Sequence, residues 1–415
     1  MNASAERTGG RMPRNLEVER AGGRSPPNQA SIGERLRRPA AARPAAAFAI
    51  LLCASLGVRA GVLPEDRADV LYHYYDGGGV QIDGPSVLVR KSVGQDVSLN
   101  ANYYVDSVSS ASIDVITQAS RYSEERKEST LGVDYLHRDT TLSLAWTKSD
   151  ENDYRATTWN LGLSQEVFGG LTTLSMGYGR GSDDVGKRGT DFSAPADHWH
   201  YRLGLSQVLT RNLIASLDFE AVADEGFLNN PYRRVRYADA GSATGYSYQA
   251  EVYPRTRDSS AVALRGRYYL PYRAALSAGY RYYDDSWGIS ASTVEVGYTQ
   301  PWRRWTFELG YRYYTQNAAD FYSDLFPYAD AQNFLARDKE LASFSSQALR
   351  LAVGYEMPIG FTHLLDKGAI NLVYDHFTYD YDNFRDLRVT GTAAGSEPLY
   401  GFSANVLQLF FSVWF

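Results

Sequence analysis

The chain has 415 residues, of which 44% are hydrophobic and 13% aromatic, and it carries a formal net charge of -6. No segment offers the ~18 to 20 consecutive apolar residues that a spanning helix needs, which excludes a helical membrane protein. The 32 tyrosines and 36 glycines against 4 methionines favour strands and turns, so we expect a large all-β protein.

The first 60 residues have the composition of an export signal. Four arginines between positions 35 and 43 precede an apolar stretch from Ala45 to Val58, and small residues follow where a signal peptidase cuts. We expect cleavage after Ala60, which separates an N-terminal extension and signal peptide (1–60) from one barrel domain (61–415). The alternative is a buried helix of a soluble protein. The basic flank, the apolar core and the small residues at the end occur together here, which favours the signal peptide.

Cleavage changes the chemistry of the chain that remains. It removes the single cysteine, Cys53, so disulfides and cysteine catalysis are excluded from the mature chain. It also leaves 32 basic against 44 acidic side chains, a formal net charge of -12. Nucleic acid is therefore not an expected partner.

Segments of alternating polarity recur along the mature chain. In one of them Phe307, Leu309 and Tyr311 alternate with Glu308 and Arg312. A soluble sandwich would also alternate, but aromatic pairs stand at the segment ends, as in the girdles that flank the lipid-facing band of a barrel. We predict about sixteen strands, with fourteen as the alternative, near 69–76, 85–92, 96–106, 126–137, 140–149, 154–167, 170–181, 197–209, 211–223, 258–270, 273–284, 289–300, 303–315, 344–357, 368–381 and 403–415.

The predicted connections alternate between short and long. If the last strand ends in the periplasm, one set of turns faces the periplasm: Gly94, Arg138-Asp139, Gly169-Gly170, Thr210, Pro271-Tyr272 and Pro301-Trp302. The longer segments then face outside: 107–125, 182–196, 224–257, 316–343 and 382–402. A soluble sandwich has no reason to sort its loops by side.

The C-terminal segment has the pattern that the barrel-assembly machinery recognises. Apolar residues occupy every second position and end in a terminal phenylalanine: Leu407, Leu409, Phe411, Val413 and Phe415. The sequence therefore predicts a closed antiparallel transmembrane β-barrel in the outer membrane of a Gram-negative bacterium. Its expected partners are outer-membrane lipid and, during insertion, the assembly machinery.

Several blocks resemble an uncharacterised family of proteobacterial outer-membrane proteins, classed as a domain of unknown function. The blocks are DSVSSASIDVITQAS (106–120), EERK (124–127), ENDY (151–154), GFLNNPYR (226–233) and YRYYDDSW (280–287). The resemblance covers about 69–415, with 237–253 longer than the loop of the family. It implies an outer-membrane barrel and carries no activity with it.

A barrel of about sixteen strands is wide enough to hold water unless loops fold into it. The alternation places seven acids and six bases on the inward face, so we expect weak charge selectivity: Asp134, Arg202, Asp218, Glu220, Arg265, Arg267, Arg281, Glu295, Glu308, Arg312, Arg350, Glu356 and Asp375. Ion pairs are expected between the strand of Asp218 and Glu220 and that of Arg265 and Arg267, and between Arg281 and the strand of Glu295. The alternative is that all these are solvated wall charges without a role in selecting a solute.

Loop 316–343 holds five aromatic side chains among four aspartates, too many to remain free in water. We predict that it, or the 226–236 stretch, folds inward as a constriction; a lid or a receptor surface is the alternative. The function expected is porin-like passage of small solutes. The alternatives are a structural or scaffolding barrel with an unidentified periplasmic or surface partner and, more distantly, an outer-membrane hydrolase.

An enzyme needs a nucleophile with a nearby base, or paired acids with a histidine. The six histidines are scattered over different segments, and we predict no catalytic residues, no enzyme activity and no cofactor. His198 and His200 share one strand face as half of a metal site but lack a spaced third ligand. The acids Asp375, Asp380, Asp382 and Asp386 lack the spacing of a calcium loop, so no metal is expected.

Overall fold

The computed structural model of the protein describes residues 61–110, 123–359 and 365–415. Within these ranges it has eighteen β-strands and one 3-10 turn at Lys339–Leu341. Sixteen strands form a closed barrel, and β10 (Arg234–Ala238) and β11 (Tyr246–Ala250) form a separate two-stranded ribbon. No helix in the described ranges is long and apolar enough to cross a bilayer.

The barrel strands follow one another around the wall in chain order, with the ribbon inserted between β9 and β12. They are β1 (Arg67–Gly77), β2 (Val80–Val93), β3 (Val97–Ser110), β4 (Ser123–His137), β5 (Thr140–Asp150), β6 (Tyr154–Val167), β7 (Thr172–Gly186), β8 (Ser193–Thr210), β9 (Leu213–Gly226), β12 (Thr256–Tyr269), β13 (Ala275–Asp285), β14 (Ser290–Trp302), β15 (Trp305–Gln316), β16 (Phe344–Pro358), β17 (Lys367–Arg385) and β18 (Leu399–Trp414).

The barrel closes where the first strand meets the last. β1 pairs antiparallel with β18 from Arg67 opposite Trp414 to Gly77 opposite Ala404. Closure gives partners to the backbone groups that an open edge would leave unsatisfied, a requirement for a sheet in lipid. The predicted closed antiparallel barrel of sixteen strands is confirmed.

The two faces of the wall differ in polarity. On β15, Phe307, Leu309 and Tyr311 are exposed, and exposed large apolar side chains recur at alternate positions on every barrel strand. Side chains of the opposite face reach over an intervening strand, as Arg90 of β2 does to Asp134 of β4 at 2.6 Å. Such contacts form on the concave side, so the apolar face is the outer one. A continuous apolar exterior of this extent matches the lipid-facing band of a membrane barrel.

The predicted short turns lie at one end of the barrel, and several need backbone conformations that glycine adopts readily. Three other short connections, 78–79, 151–153 and 286–289, lie at the opposite end. Gly94 has φ 72°, and Gly169 and Gly170 have φ 66° and 82°. Two predicted turn positions are wrong by one or two residues. Thr210 and Pro301-Trp302 end strands, and the chain turns at 211–212 and 303–304.

The opposite end carries the long connections, but some are shorter than predicted. The segment 182–196 is largely strand, with a loop of only 187–192, and 382–402 contracts to 386–398. These strands continue beyond the apolar band with polar residues on both faces, so the alternation that marks a strand is lost there. Part of the predicted loop 107–125, and all of 1–60 with the predicted signal peptide, lie outside the described residues.

Candidate functional site

The inner wall of the barrel carries most of the charged side chains. All thirteen residues predicted for the inward face lie on the side opposite the apolar exterior: Asp134, Arg202, Asp218, Glu220, Arg265, Arg267, Arg281, Glu295, Glu308, Arg312, Arg350, Glu356 and Asp375. Their role towards a solute stays a prediction.

One of the expected cross-strand ion pairs forms, and a pair that was not predicted joins β16 and β17. Arg265 donates to Asp218 at 2.6 Å between adjacent strands. Arg350 donates through both Nε and Nη2 to Asp375, at 2.7 and 2.9 Å. Two-pronged pairs of this kind fix the guanidinium plane as well as its charge.

Other expected pairs are replaced by contacts with more distant strands. Arg281 of β13 reaches over β12 and donates a hydrogen bond to Glu220 of β9 at 3.1 Å. Glu295 instead forms an ion pair with Arg312, at 3.5 Å. The expected pairing of Arg281 with the strand of Glu295 is therefore wrong. Arg267 makes no ion pair with any described residue. The physical reason is the curvature of the wall, which brings inner side chains two strands apart within reach of each other.

Further inner-wall pairs were not predicted from the sequence, some across an intervening strand and some between adjacent strands. His73 of β1 contacts Asp106 of β3 at 2.7 Å. The contact passes over Gly84 of β2, where a Cβ atom would lie 3.4 Å from the His73 ring. His198 bridges two carboxylates, Asp224 at 2.6 Å and Asp183 at 2.8 Å. The alternation along each strand predicts that these residues face inward, but it does not predict which partner each of them contacts.

Metal binding finds no support among the described residues. No group of three or more His, Cys, Asp or Glu side chains in the described ranges is arranged to hold an ion. His198 and His200 each bond carboxylates instead, His200 at 2.5 Å to Glu220. The acidic residues of β17 also do not converge, because Asp375 points inward to Arg350 while Asp382 accepts a bond from Ser343.

Three arginine stems lie flat along the wall over glycines of the neighbouring strand. A Cβ atom built on Gly310 would lie 3.3 Å from the Cβ of Arg350, and one on Gly177 would lie 3.4 Å from that of Arg202. Gly279 stands in the same relation to Arg265. Because these positions lack side chains, the arginines can lie against the wall instead of projecting across the interior.

Three long connections form one structure at the end of the barrel, here called the loop cap: 227–255, 317–343 and 386–398. Its centre is Arg236, whose side chain is fully buried. The guanidinium bonds Glu397 at 2.5 and 3.0 Å, and it also bonds the carboxylate and the backbone carbonyl of Asp324. Arg337 shares Asp324 at 2.9 Å and lies over the Phe384 ring. One buried ionic cluster therefore joins all three loops.

The ionisation of this cluster fits its contacts. Burial lowers the pKa of Arg236, but bonds to Glu397 and Asp324 outweigh it and leave that pKa above its usual value. Burial likewise raises the pKa of Glu397, and the bond from Arg236 outweighs it, so the net pKa lies below the usual value. Both groups are held in their charged forms.

The loop cap extends across the barrel opening. On one side Tyr232 donates to Asp153 between β5 and β6, and Lys187 between β7 and β8 donates to the carbonyl of Pro231 at 3.0 Å. On the other side Tyr322 donates to the backbone of Asn383 on β17 at 3.1 Å. These anchors are well separated around the rim of the barrel.

Beneath the cap, aromatic residues of strand ends and connections form two packed clusters. Phe384, Tyr400, Tyr381 and Phe344 form a buried cluster. A second cluster joins Tyr253 and Phe321 of the cap to Trp287, with ring centroids 5.2 to 5.5 Å apart. Both loop segments singled out from the sequence, 316–343 and 226–236, thus contribute to one packed cap.

The predicted assembly residues occupy the outer face of the last strand. Leu407, Leu409 and Phe411 are exposed there and continue the apolar band. Val413 follows on the same face, and the Phe415 ring lies 4.8 Å from the Lys91 ammonium. Their recognition by the assembly machinery stays a prediction.

Closed antiparallel pairing, an apolar exterior and a polar interior together define an outer-membrane β-barrel. Within this class the chain belongs to the family described as "Protein of unknown function (DUF3570)", whose model matches residues 193–412. This confirms the predicted resemblance to an uncharacterised outer-membrane barrel family. No curated protein matches the sequence.

The chain is also similar to solved structures. A bacterial polysaccharide outer membrane secretin has 7% identity and a TM-score of 0.46 over 84% of this chain and 99% of that chain. The siderophore receptor PirA from Pseudomonas aeruginosa has 10% identity and a TM-score of 0.42 over 85% of this chain and 63% of that chain. Pseudomonas aeruginosa OccK8 (OprE) has 11% identity and a TM-score of 0.40 over 84% and 97%.

Proposed function

We propose that the protein is an outer-membrane channel for small solutes, narrowed at its extracellular mouth by the loop cap. The observation that carries this proposal is the contrast between the two levels of the barrel. Above, the cap is tied to separated strands and packed on the inner wall through buried charges and rings. Below, the inner wall is lined by paired charges and small residues, which suits a water-filled interior.

The charges of the wall suggest how such a channel treats ions. Most lie in cross-strand pairs, for example Arg265 with Asp218 and Arg350 with Asp375. Paired charges produce local transverse fields but little net potential along the axis. We therefore expect weak selectivity between small inorganic cations and anions. The arginines that lie over glycines keep the passage wide below the cap.

Single-channel conductance in planar bilayers tests the proposal. We expect discrete current steps from the folded, heat-modifiable protein. Replacing 317–343 by a short turn should raise the step size, because Gln316 and Phe344 are already paired at the base of this loop and the wall stays closed. As a matched control, deletion of 240–244 at the exposed tip of the β10–β11 ribbon should leave the step size unchanged. Folded protein without current would contradict the channel.

A scaffolding barrel is the second candidate, favoured by one observation. The outer surface of the cap exposes apolar side chains, with Tyr328 60% and Phe334 41% exposed. Exposed aromatics on a rigid surface are typical of contact sites for another protein. Under this reading the barrel would present the cap to a surface partner, and the loop deletion would abolish partner binding without any current appearing.

A further inference from the structure

One sector of the inner wall is richer in apolar side chains than the rest of the interior. It spans β17, β18 and β1 and includes six inward-facing residues, here called the inner apolar arc: Leu71, Tyr75, Val373, Phe377, Val406 and Phe410. Three polar residues, His73, Asp375 and Gln408, face inward between them. Each of the six apolar residues is half-buried, so part of its surface faces the interior. The interior of a water-filled barrel is normally polar, so a sector in which most inward-facing side chains are apolar suits an occupant with an apolar part.

The inner apolar arc continues upward as a ladder of rings to the underside of the loop cap. Phe377 stacks with Tyr379 at 6.2 Å, and Tyr379 stacks with Phe402 at 4.6 Å with the planes 9° apart. Phe402 then stacks with Tyr400 at 5.6 Å, inside the cluster that the cap covers. An apolar surface therefore runs down the wall from the cap into the barrel.

A guanidinium borders this apolar surface halfway along. Asp375, the carboxylate partner of Arg350, lies directly opposite Val406 in the strand register. Asp375 uses its oxygens on Nε and Nη2 of Arg350, which leaves the N–H groups of Nη1 for another acceptor. The Arg350 side chain is 52% exposed and that of Asp375 only 6%. Of this pair, the interior thus meets mainly the guanidinium, with Glu308 of β15 facing inward nearby.

We propose that this wall binds and guides amphiphilic anions, with a carboxylate or similar head group on Arg350 and an apolar body on the inner apolar arc. This rests on the proposed channel function. Concave apolar surfaces with one well-placed polar group recognise ligands of this composition. A small polar anion lacks the body that the arc accepts, and a cationic amphiphile meets the exposed guanidinium while the matching carboxylate is covered.

A second exposed guanidinium on the wall provides a matched control. Arg202 is 66% exposed and contacts His200 and Glu220, far around the barrel from β17 and β18. Its neighbours on the wall are polar or glycine, such as Gly177. It therefore offers the same head-group chemistry as Arg350 without an apolar surface beside it.

The experiment measures how added ions reduce the KCl current through the channel in planar bilayers. The probes are potassium hexanoate, potassium acetate and hexylammonium chloride. We expect hexanoate to block with an apparent Kd about tenfold below that of acetate, because its extra methylenes contact the arc. Hexylammonium should block no better than acetate. Equal block by hexanoate and acetate, with normal KCl current, would overturn this inference and leave the channel intact.

Variants separate the head-group contact from the apolar one. Arg350→Gln should raise the Kd for hexanoate about tenfold, whereas Arg202→Gln should leave it within about twofold. The substitutions Val373→Thr and Val406→Thr together keep the side-chain volume but add hydroxyl groups. They should raise the Kd for hexanoate close to that for acetate and leave the Kd for acetate unchanged. If Arg202→Gln weakened hexanoate as much as Arg350→Gln, the site would not be on this wall. Absence of any KCl current would overturn the channel and this pathway together.

Discussion

Arg236 and Glu397 are 161 residues apart in the chain, yet their charged groups meet in the interior of the loop cap at 2.5 and 3.0 Å. Water cannot take the place of either partner, because the exposed fractions of Arg236 and Glu397 are only 0% and 4%. This ion pair, with Asp324 as its second carboxylate, connects loops that no backbone sheet joins to one another.

Removing the guanidinium should therefore loosen the cap. Arg236→Met leaves the buried carboxylate of Glu397 without its cation, whereas Asp324 keeps Arg337; breaking a buried ion pair in this way typically costs about 3–5 kcal/mol. We expect a larger and noisier single-channel conductance and new protease cleavage within 386–398 in reconstituted vesicles. Arg388→Met is the control, because its partner Asp386 lies in the same loop but Arg388 is 46% exposed and such pairs contribute about 0–1 kcal/mol. Equal behaviour of the two variants would contradict a cap held by Arg236.

The same cluster predicts how the cap responds to pH. Because the pKa of Glu397 is lowered in the folded cap from its usual 4.5, its contribution to stability is complete above that value. It is lost as the pH falls through the lowered pKa, when the carboxylate takes up a proton. We expect the cap to stay closed from about pH 7 to pH 5 and to open once the pH falls below the lowered pKa of Glu397, measured as conductance and protease sensitivity. Glu397→Gln should remove most of this step, and opening on raising the pH would contradict the account.

The glycines under the arginine stems predict a packing effect on the wall. A side chain at Gly310 would occupy the space of the Arg350 stem and force the guanidinium into the interior. Gly310→Val should therefore lower the single-channel conductance and destabilise the barrel by about 1–3 kcal/mol, measured by urea unfolding in lipid vesicles. Gly266→Val is the control, because a Cβ there meets no atom within 4 Å. A conductance unchanged by Gly310→Val would show that Arg350 does not lie along the wall.

The strands were predictable because lipid and water select opposite faces at a period of two residues, and that pattern is local in the sequence. The alternation around Phe307 and Leu309 is sufficient to assign β15 and its faces. Where strands rise beyond the bilayer, as at Asp183 on β7, this selection ends and the predicted loop 182–196 was too long.

Contacts between distant segments could not be predicted in the same way. The reach of Arg281 over β12 to Glu220 depends on wall curvature and on the small side chain of Ala263 between them. The bond from Arg236 to Glu397 depends on how two loops meet, which no local pattern encodes. The sequence did indicate through its aromatic content that 316–343 packs against something, but not that three loops share one ionic centre.

The central claim is that one face of each strand contacts lipid and the other faces an aqueous interior. Cysteine accessibility on β15 tests it most directly, with the mature chain from residue 61, which contains no other cysteine, reconstituted into lipid vesicles. Leu309 and Arg312 lie on opposite faces of this strand. A membrane-impermeant charged thiol reagent should modify Arg312→Cys rapidly and Leu309→Cys hardly at all. Rapid modification of Leu309→Cys, with Arg312→Cys protected, would contradict the assignment of the two faces and the channel built on it.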